Sequence, residues 1–217
     1  HTSKTGELRV LEKDVVLDVA RRLRSLLEDD LGLEVLLTRN RDRFLALEAR
    51  TAYANKRNAD LFVSIHMNAH RNRRFRGVEC FYLDLTNDRY SIKLAARENA
   101  TSEKSISDLK YILADLALKS HVDDSISLSR MVQKGMVGTL RRRYKKVRDL
   151  GLKPALFYVL IGARMPSILV EGSFLTNPME EKRLRSKTYR QNLAEGIYVG
   201  IKNFIEERDK LYDPDRL

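Results

Sequence analysis

Internal disulfides are excluded by composition: the chain has one cysteine, Cys80. It sits in Val78-Glu79-Cys80-Phe81-Tyr82-Leu83, an apolar run of strand character, and reads as a buried packing thiol rather than a nucleophile. A lone cysteine suits the cytosol or an exported protein that does without disulfides, so it does not fix the compartment. Glycine (10) and proline (4) are too scarce in 217 residues for linker-rich or low-complexity sequence. No apolar run approaches the length of a membrane span. No signal-peptide pattern is present, and the chain starts at His1 in polar, loop-like sequence, as a portion of something longer would. There is no internal repeat.

What is present is a globular composition, 43% hydrophobic and 33% charged, sufficient for one full core. The formal net charge of +11 attracts polyanions: nucleic acid, anionic lipid or anionic wall polymer. The basic residues are scattered, with denser clusters at 71–76 and 141–148. Neither cluster interleaves aromatics in the way that stacks bases, and each reads as a solvated basic face. A nucleic-acid-binding domain therefore rests on charge alone.

Periodicity gives the layout. Leu11, Val15, Val16, Val19, Leu23, Leu26 and Leu27 recur at helical spacing, predicting an amphipathic helix over 11–30 that stops at Gly32. A short strand is expected at 33–38. A helix follows at 45–57, with Leu47, Ala49, Ala52, Tyr53 and Ala54 inward, then a strand at 61–65 ending in His66. Another strand is expected at 77–85. Residues 87–150 show helices at 88–100, 108–119 and 123–144 and no convincing strand. Three helices exceed what one crossover needs, so a helical insertion is expected at about 98–125, most simply the helix within 107–120. The sheet should resume at 155–161, and Ser167-Ile168-Leu169-Val170-Glu171 is a second apolar strand ending in an ionisable group. A short helix at 180–185, a closing helix at 189–210 and a frayed tail at 211–217 complete the chain. Helices alternating with strands imply right-handed crossovers. The fold class is thus α/β: a single domain with a mostly parallel twisted sheet and helices on both faces.

In open parallel sheets, ligands bind outside the carboxyl ends of the strands. His66 and Glu171 both fall there. For His66, a metal ligand and a histidine satisfied by hydrogen bonds are the competing readings. Glu12 starts the first helix, where a carboxylate complements the helix dipole; the same edge could also turn it toward the site. One histidine with two carboxylates fits metal-assisted hydrolysis, in which zinc keeps one position for water and a free carboxylate moves protons.

Four stretches lie in register with one family. They are Glu12-Lys13-Asp14-Val15-Val16-Leu17, Leu36-Leu37-Thr38-Arg39, Ala59-Asp60-Leu61-Phe62-Val63-Ser64-Ile65-His66-Met67-Asn68-Ala69, and Pro166-Ser167-Ile168-Leu169-Val170-Glu171-Gly172-Ser173-Phe174-Leu175-Thr176-Asn177. Together, over nearly the whole chain, they resemble the zinc-dependent N-acetylmuramoyl-L-alanine amidases of the cell-separation type, which hydrolyse peptidoglycan. The resemblance implies an amidase catalytic domain over 1–217, Glu12 and His66 as ligands of Zn2+, and Glu171 as the catalytic glutamate. It leaves His70 and His121 as surface histidines. The family's first histidine ligand sits in a Gly-His-Gly-Gly turn that this sequence lacks. A further histidine ligand is therefore expected upstream of His1, with His1 itself as the lesser candidate.

The resemblance also gives the insertion a meaning. Division-associated amidases carry a helical segment that covers the zinc until an activator displaces it. Here Glu98 is the preferred autoinhibitory carboxylate, with Glu103 the alternative. The expected setting is a monomer exported to the periplasm or cell envelope of a bacterium, with peptidoglycan as substrate, a protein activator as partner and no nucleic acid. The competing reading is a catalytically silent wall-binding or regulatory module on the same fold.

Overall fold

A computed structural model describes residues 10–114 and 121–212, except for the side chains of 109–114 and 211–212. Helix α1 (Glu12–Leu31) buries Val15, Val19, Leu23 and Leu27, a strict four-residue stripe, and ends on Gly32 at φ 62°. That left-handed residue returns its N–H to the carbonyls of Glu28 and Leu27, closing the helix. Then follow α2 (Leu47–Lys56), β1 (Phe62–Asn68), β2 (Val78–Leu83), α3 (Arg89–Glu98), α4 (Glu103–Ala114) and α5 (Val122–Arg143). Strand β3 (Asp149–Ala155), a 3-10 turn (Tyr158–Leu160), β4 (Ser167–Phe174), α6 (Pro178–Leu184) and α7 (Lys187–Tyr212) complete the chain.

The sheet order is β1-β4-β2-β3, with β1/β4 and β2/β3 parallel and β2/β4 antiparallel. The mostly parallel α/β class expected from the sequence is the fold observed. Alternation along the strands divides two cores. Val78, Cys80, Ile168, Val170 and Met67 join the apolar faces of α1, α5 and α7. Phe62, Phe81, Leu169 and Ala155 join α3, Ile106 of α4 and the segment around Phe157 on the other face. Where α5 crosses α7 the backbones touch: a Cβ on Gly200 would lie 2.3 Å from the Val132 Cα, and one on Gly135 2.4 Å from the Gly196 carbonyl oxygen.

Several expectations are corrected. Residues 33–38 form no strand. A strand exists through its ladder, and a groove of about 1500 Å³ runs between this segment, α1 and the outer edge of β1. Leu33 and Val35 still pack against the core. In α2 Ala54 is buried as expected, joined by Thr51, whose hydroxyl donates to the Val159 carbonyl, whereas Ala52 is exposed. The sheet resumes at 149, not 155: β3 is an edge strand carrying Gly151 and Pro154, residues that normally signal a break but are tolerated at an edge. Both site-bearing strands run on past their ionisable residue, β1 to Asn68 and β4 to Phe174. The polar break expected at 101–107 is shorter, because the Ser102 hydroxyl accepts the Ser105 N–H and starts α4 at Glu103. The apolar residues of the expected insertion beyond Asp108, and residues 115–120, lie outside the described side chains, as does His1.

Candidate functional site

Register builds the centre of the site. His66 of β1 pairs with Glu171 of β4, and Glu171 pairs in turn with Glu79 of β2. Paired residues of adjacent strands point to one face. One rung across three strands therefore carries an imidazole and two carboxylates, all toward the α3 side of the sheet.

Two further carboxylates reach this rung from helix ends. Glu12, in the first turn of α1, accepts the Met67 N–H at 3.0 Å, and its Oε1 lies 3.3 Å from the His66 Nδ1. The N-cap position of α1, Leu11, supplies no side-chain cap. Glu12 is thus turned to β1 rather than spent on capping. Glu98, the last residue of α3, puts Oε2 3.1 Å from the same Nδ1. Neither approach has hydrogen-bond geometry, so this buried ring nitrogen is left unsatisfied among the described residues. Burial pushes the His66 pKa down, but Glu12 and Glu98, helped by Glu171, overturn that and raise it to about 10.

Glu171 is 1% exposed, and neither carboxylate oxygen has a hydrogen-bond partner among the described residues. Burial pushes its carboxyl well above the usual range; His66 opposes this, while Glu98, Glu12 and Glu79 add to it. For Glu98 burial pushes upward, but contact with His66 and Arg97 more than offsets it, and the carboxyl is held below its usual value.

The donor set suits a metal. One ligand atom each from Glu12, His66 and Glu98 lie within 4.8 Å of one another. A tetrahedral zinc with oxygen and nitrogen bonds near 2.0–2.1 Å separates its ligands by roughly 3.4 Å, close to the 3.1 and 3.3 Å found here. The chemistry agrees: the oxygens of Glu12 and Glu98 close on one imidazole nitrogen that has no hydrogen-bond partner among the described residues, and a divalent cation would occupy it.

Of the residues singled out from sequence, Glu12, His66, Glu98 and Glu171 converge. Glu103 does not: it is exposed in the first turn of α4. His70 is half-buried and stacked on Phe75, and His121 stands half-buried at the start of α5.

A supporting layer was missed. Glu79, fully buried, accepts from Lys153 Nζ at 2.7 Å, from Asn68 Nδ2 at 2.8 Å and from the Tyr90 hydroxyl. Burial and Glu79 together push the Tyr90 phenol up. Arg97 donates to Asn68 Oδ1, to the Ala69 carbonyl and to Glu98, tying the end of α3 to the end of β1. The available signal was that Glu79 is a charged residue inside an apolar strand, which demands a buried partner. The partners come from three different elements, 11 to 74 residues away, and could not be named from spacing.

Comparison with known proteins supplies the family. The chain matches the Amidase_3 family, N-acetylmuramoyl-L-alanine amidase, over residues 1–203. It is 35% identical over 213 residues to the N-acetylmuramoyl-L-alanine amidase AmiC of Escherichia coli O6:H1, covering 93% of this chain and 49% of that protein. It is 33% identical to AmiA of Escherichia coli K12, covering 94% and 72%. The chain thus spans about half the length of the first of these relatives. The crystal structure of an N-acetylmuramoyl-L-alanine amidase from Clostridium difficile 630 superposes with a TM-score of 0.71 at 29% identity, over 96% of this chain and 90% of that one. With a family match across nearly its whole length, the chain belongs to the N-acetylmuramoyl-L-alanine amidases.

Proposed function

We propose that this domain hydrolyses the amide bond between N-acetylmuramic acid and L-alanine of peptidoglycan, and that Glu98 holds it in an inactive state. The observation that carries the reading is the His66–Glu171 rung with Glu12 and Glu98 closing on it. Glu12 and His66, with a further histidine, would hold zinc. When bound, zinc brings the pKa of a coordinated water near neutrality and stabilises negative charge on the amide oxygen.

Glu171 serves as the proton carrier. Its buried oxygens have no competing donor among the described residues, so they are free to accept a proton from the attacking water. Its raised affinity for that proton follows from burial. As the carbon–nitrogen bond breaks, the proton passes to the departing alanine amine. Lys153 neutralises Glu79 behind the rung, which limits the negative field at Glu171. Glu98 lies where a water or the substrate carbonyl would need to enter, and Arg97 fixes it there. On this reading, residues of about 98–125 form a regulatory segment that a protein activator displaces, and the protein works as a monomer exported to the periplasm or envelope.

The test is product chemistry. Purified sacculi treated with the protein should release stem peptides with a free amino-terminal alanine, leaving glycan with unsubstituted lactyl carboxyls, both read by mass spectrometry. Wall binding without either product would favour a silent wall-binding module.

A further inference from the structure

We infer that the loop of residues 70–76 is a carboxylate-binding subsite for the stem peptide of the substrate. The inference rests on the amidase reading above.

The loop is placed for it. It leaves the carboxyl end of β1 directly beyond Asn68, and the Ala69 carbonyl is held by Arg97, the neighbour of Glu98. It is also fastened to the end of β4. The His70 N–H donates to Thr176 Oγ1 at 2.9 Å, Arg73 Nε donates to the Thr176 carbonyl at 3.2 Å, and Asn177 Nδ2 donates to the Arg73 carbonyl at 2.8 Å. Thr176 lies five residues beyond Glu171. A peptide leaving the site past these strand ends meets this loop.

The loop is also built, not slack. The Asn72 N–H donates to His70 Nδ1 at 3.0 Å, and the Arg74 N–H donates to Asn72 Oδ1 at 3.0 Å. The His70 ring stacks on Phe75 with centroids 3.8 Å apart. All of these devices use backbone or neutral groups. Arg71, Arg73, Arg74 and Arg76 fall within six positions, and the nearest acid in sequence, Glu79, is buried against Lys153. Arg71 and Arg74 are exposed, and neither guanidinium has a carboxylate partner among the described residues. Arg76 faces the buried Glu180 and Arg73 is spent on the Thr176 carbonyl, so Arg71 and Arg74 are the two held on this loop without a counter-charge among the described residues, which costs stability unless an anion uses them. All four cations are arginines, whose planar fork matches a carboxylate through two parallel hydrogen bonds.

The occupant follows from the substrate. Its glycan is a chain of neutral N-acetylated sugars whose lactyl groups are tied up in the amide bonds. The residues beyond the L-alanine carry the free carboxylates. The stem peptide is therefore the part that complements the exposed Arg71 and Arg74.

The experiment is steady-state kinetics on two soluble muropeptides that differ only in whether the α-carboxylate of the second stem residue is free or amidated. Arg71→Ala with Arg74→Ala should raise KM about tenfold for the free acid, the worth of one charge-assisted contact. kcat should stay within about twofold, and KM for the amidated substrate should be little changed. The corresponding double lysine variant should recover only part of the loss. Equal effects on both substrates, or no effect on either, would overturn the subsite while leaving the amidase reading intact. Absence of cleavage by the unaltered protein would instead remove the amidase reading and the subsite with it.

Discussion

Replacing Glu98 with alanine should activate the enzyme, and the size of the gain can be worked from the contacts. The Glu98 carboxylate lies 3.1 Å from the His66 Nδ1 and 2.8 Å from the Arg97 guanidinium. Arg97, its neighbour on the helix end, has its own bonds to Asn68 and Ala69, so the contact that Glu98 itself supplies to the closed state is the one to His66. Bounded by the worth of a hydrogen bond to a charged group, that contact contributes at most about 1.5–3 kcal/mol. At 1.36 kcal/mol per decade, the competent state would hold roughly one molecule in ten to one in 150. Glu98→Ala should therefore raise the initial rate of dye release from labelled sacculi by about ten- to 150-fold without an activator. Arg97→Ala should give a smaller gain by loosening the pin. Deleting residues 107–120 should also raise activity. A Glu98→Ala protein that unfolds as cooperatively as the parent yet hydrolyses no faster would refute the gating argument.

Two further predictions concern stability. Gly200→Ala drives a methyl into the α5 backbone at 2.3 Å and should cost about 2–3 kcal/mol, lowering Tm by roughly 5–10 °C, whereas Gly138→Ala, with nothing within 4 Å, should be neutral or better. Differential scanning calorimetry separates the two, and equal shifts would contradict the crossing described. Glu180 is 2% exposed, and burial raises its pKa from 4.5 to about 7 despite the N–H groups of Phe174 and Gly77 that it accepts. A carboxyl that binds its proton more tightly when folded stabilises the fold fully below its unfolded value of about 4.5 and loses that contribution as pH rises through 7. Urea denaturation at pH 5 and pH 8 should show a loss of about 2.5 kcal/mol from this group in the parent. Glu180→Gln should flatten that difference, and an unchanged slope would argue against it.

Much of this was legible in the chain. The four-residue stripe of α1, the apolar strands ending in His66 and Glu171, and Gly32 as a stop are local patterns, and local physics decides them. The convergence of Glu12, His66, Glu98 and Glu171 was legible only in part, because it depends on register. Nothing in the sequence fixes that His66 stands opposite Glu171 and Glu171 opposite Glu79. Strand β3 was hidden because Gly151 and Pro154 break the local pattern, yet pairing with β2 along one side suffices for an edge. The strand expected at 33–38 failed for the opposite reason: its composition is right, but it has no ladder among the described residues. The network of Glu79, Lys153, Asn68 and Tyr90 is wholly tertiary.

The proposed role of Glu171 as the proton carrier, beside a metal held by other residues, is open to one direct test. Glu171→Gln changes one oxygen to an amide in a fully buried position and touches neither Glu12 nor His66. Zinc content by atomic absorption and hydrolysis of sacculi should be measured on the same protein sample. Zinc at the parent stoichiometry with hydrolysis reduced at least 100-fold is the predicted result; hydrolysis near the parent rate would contradict the central claim.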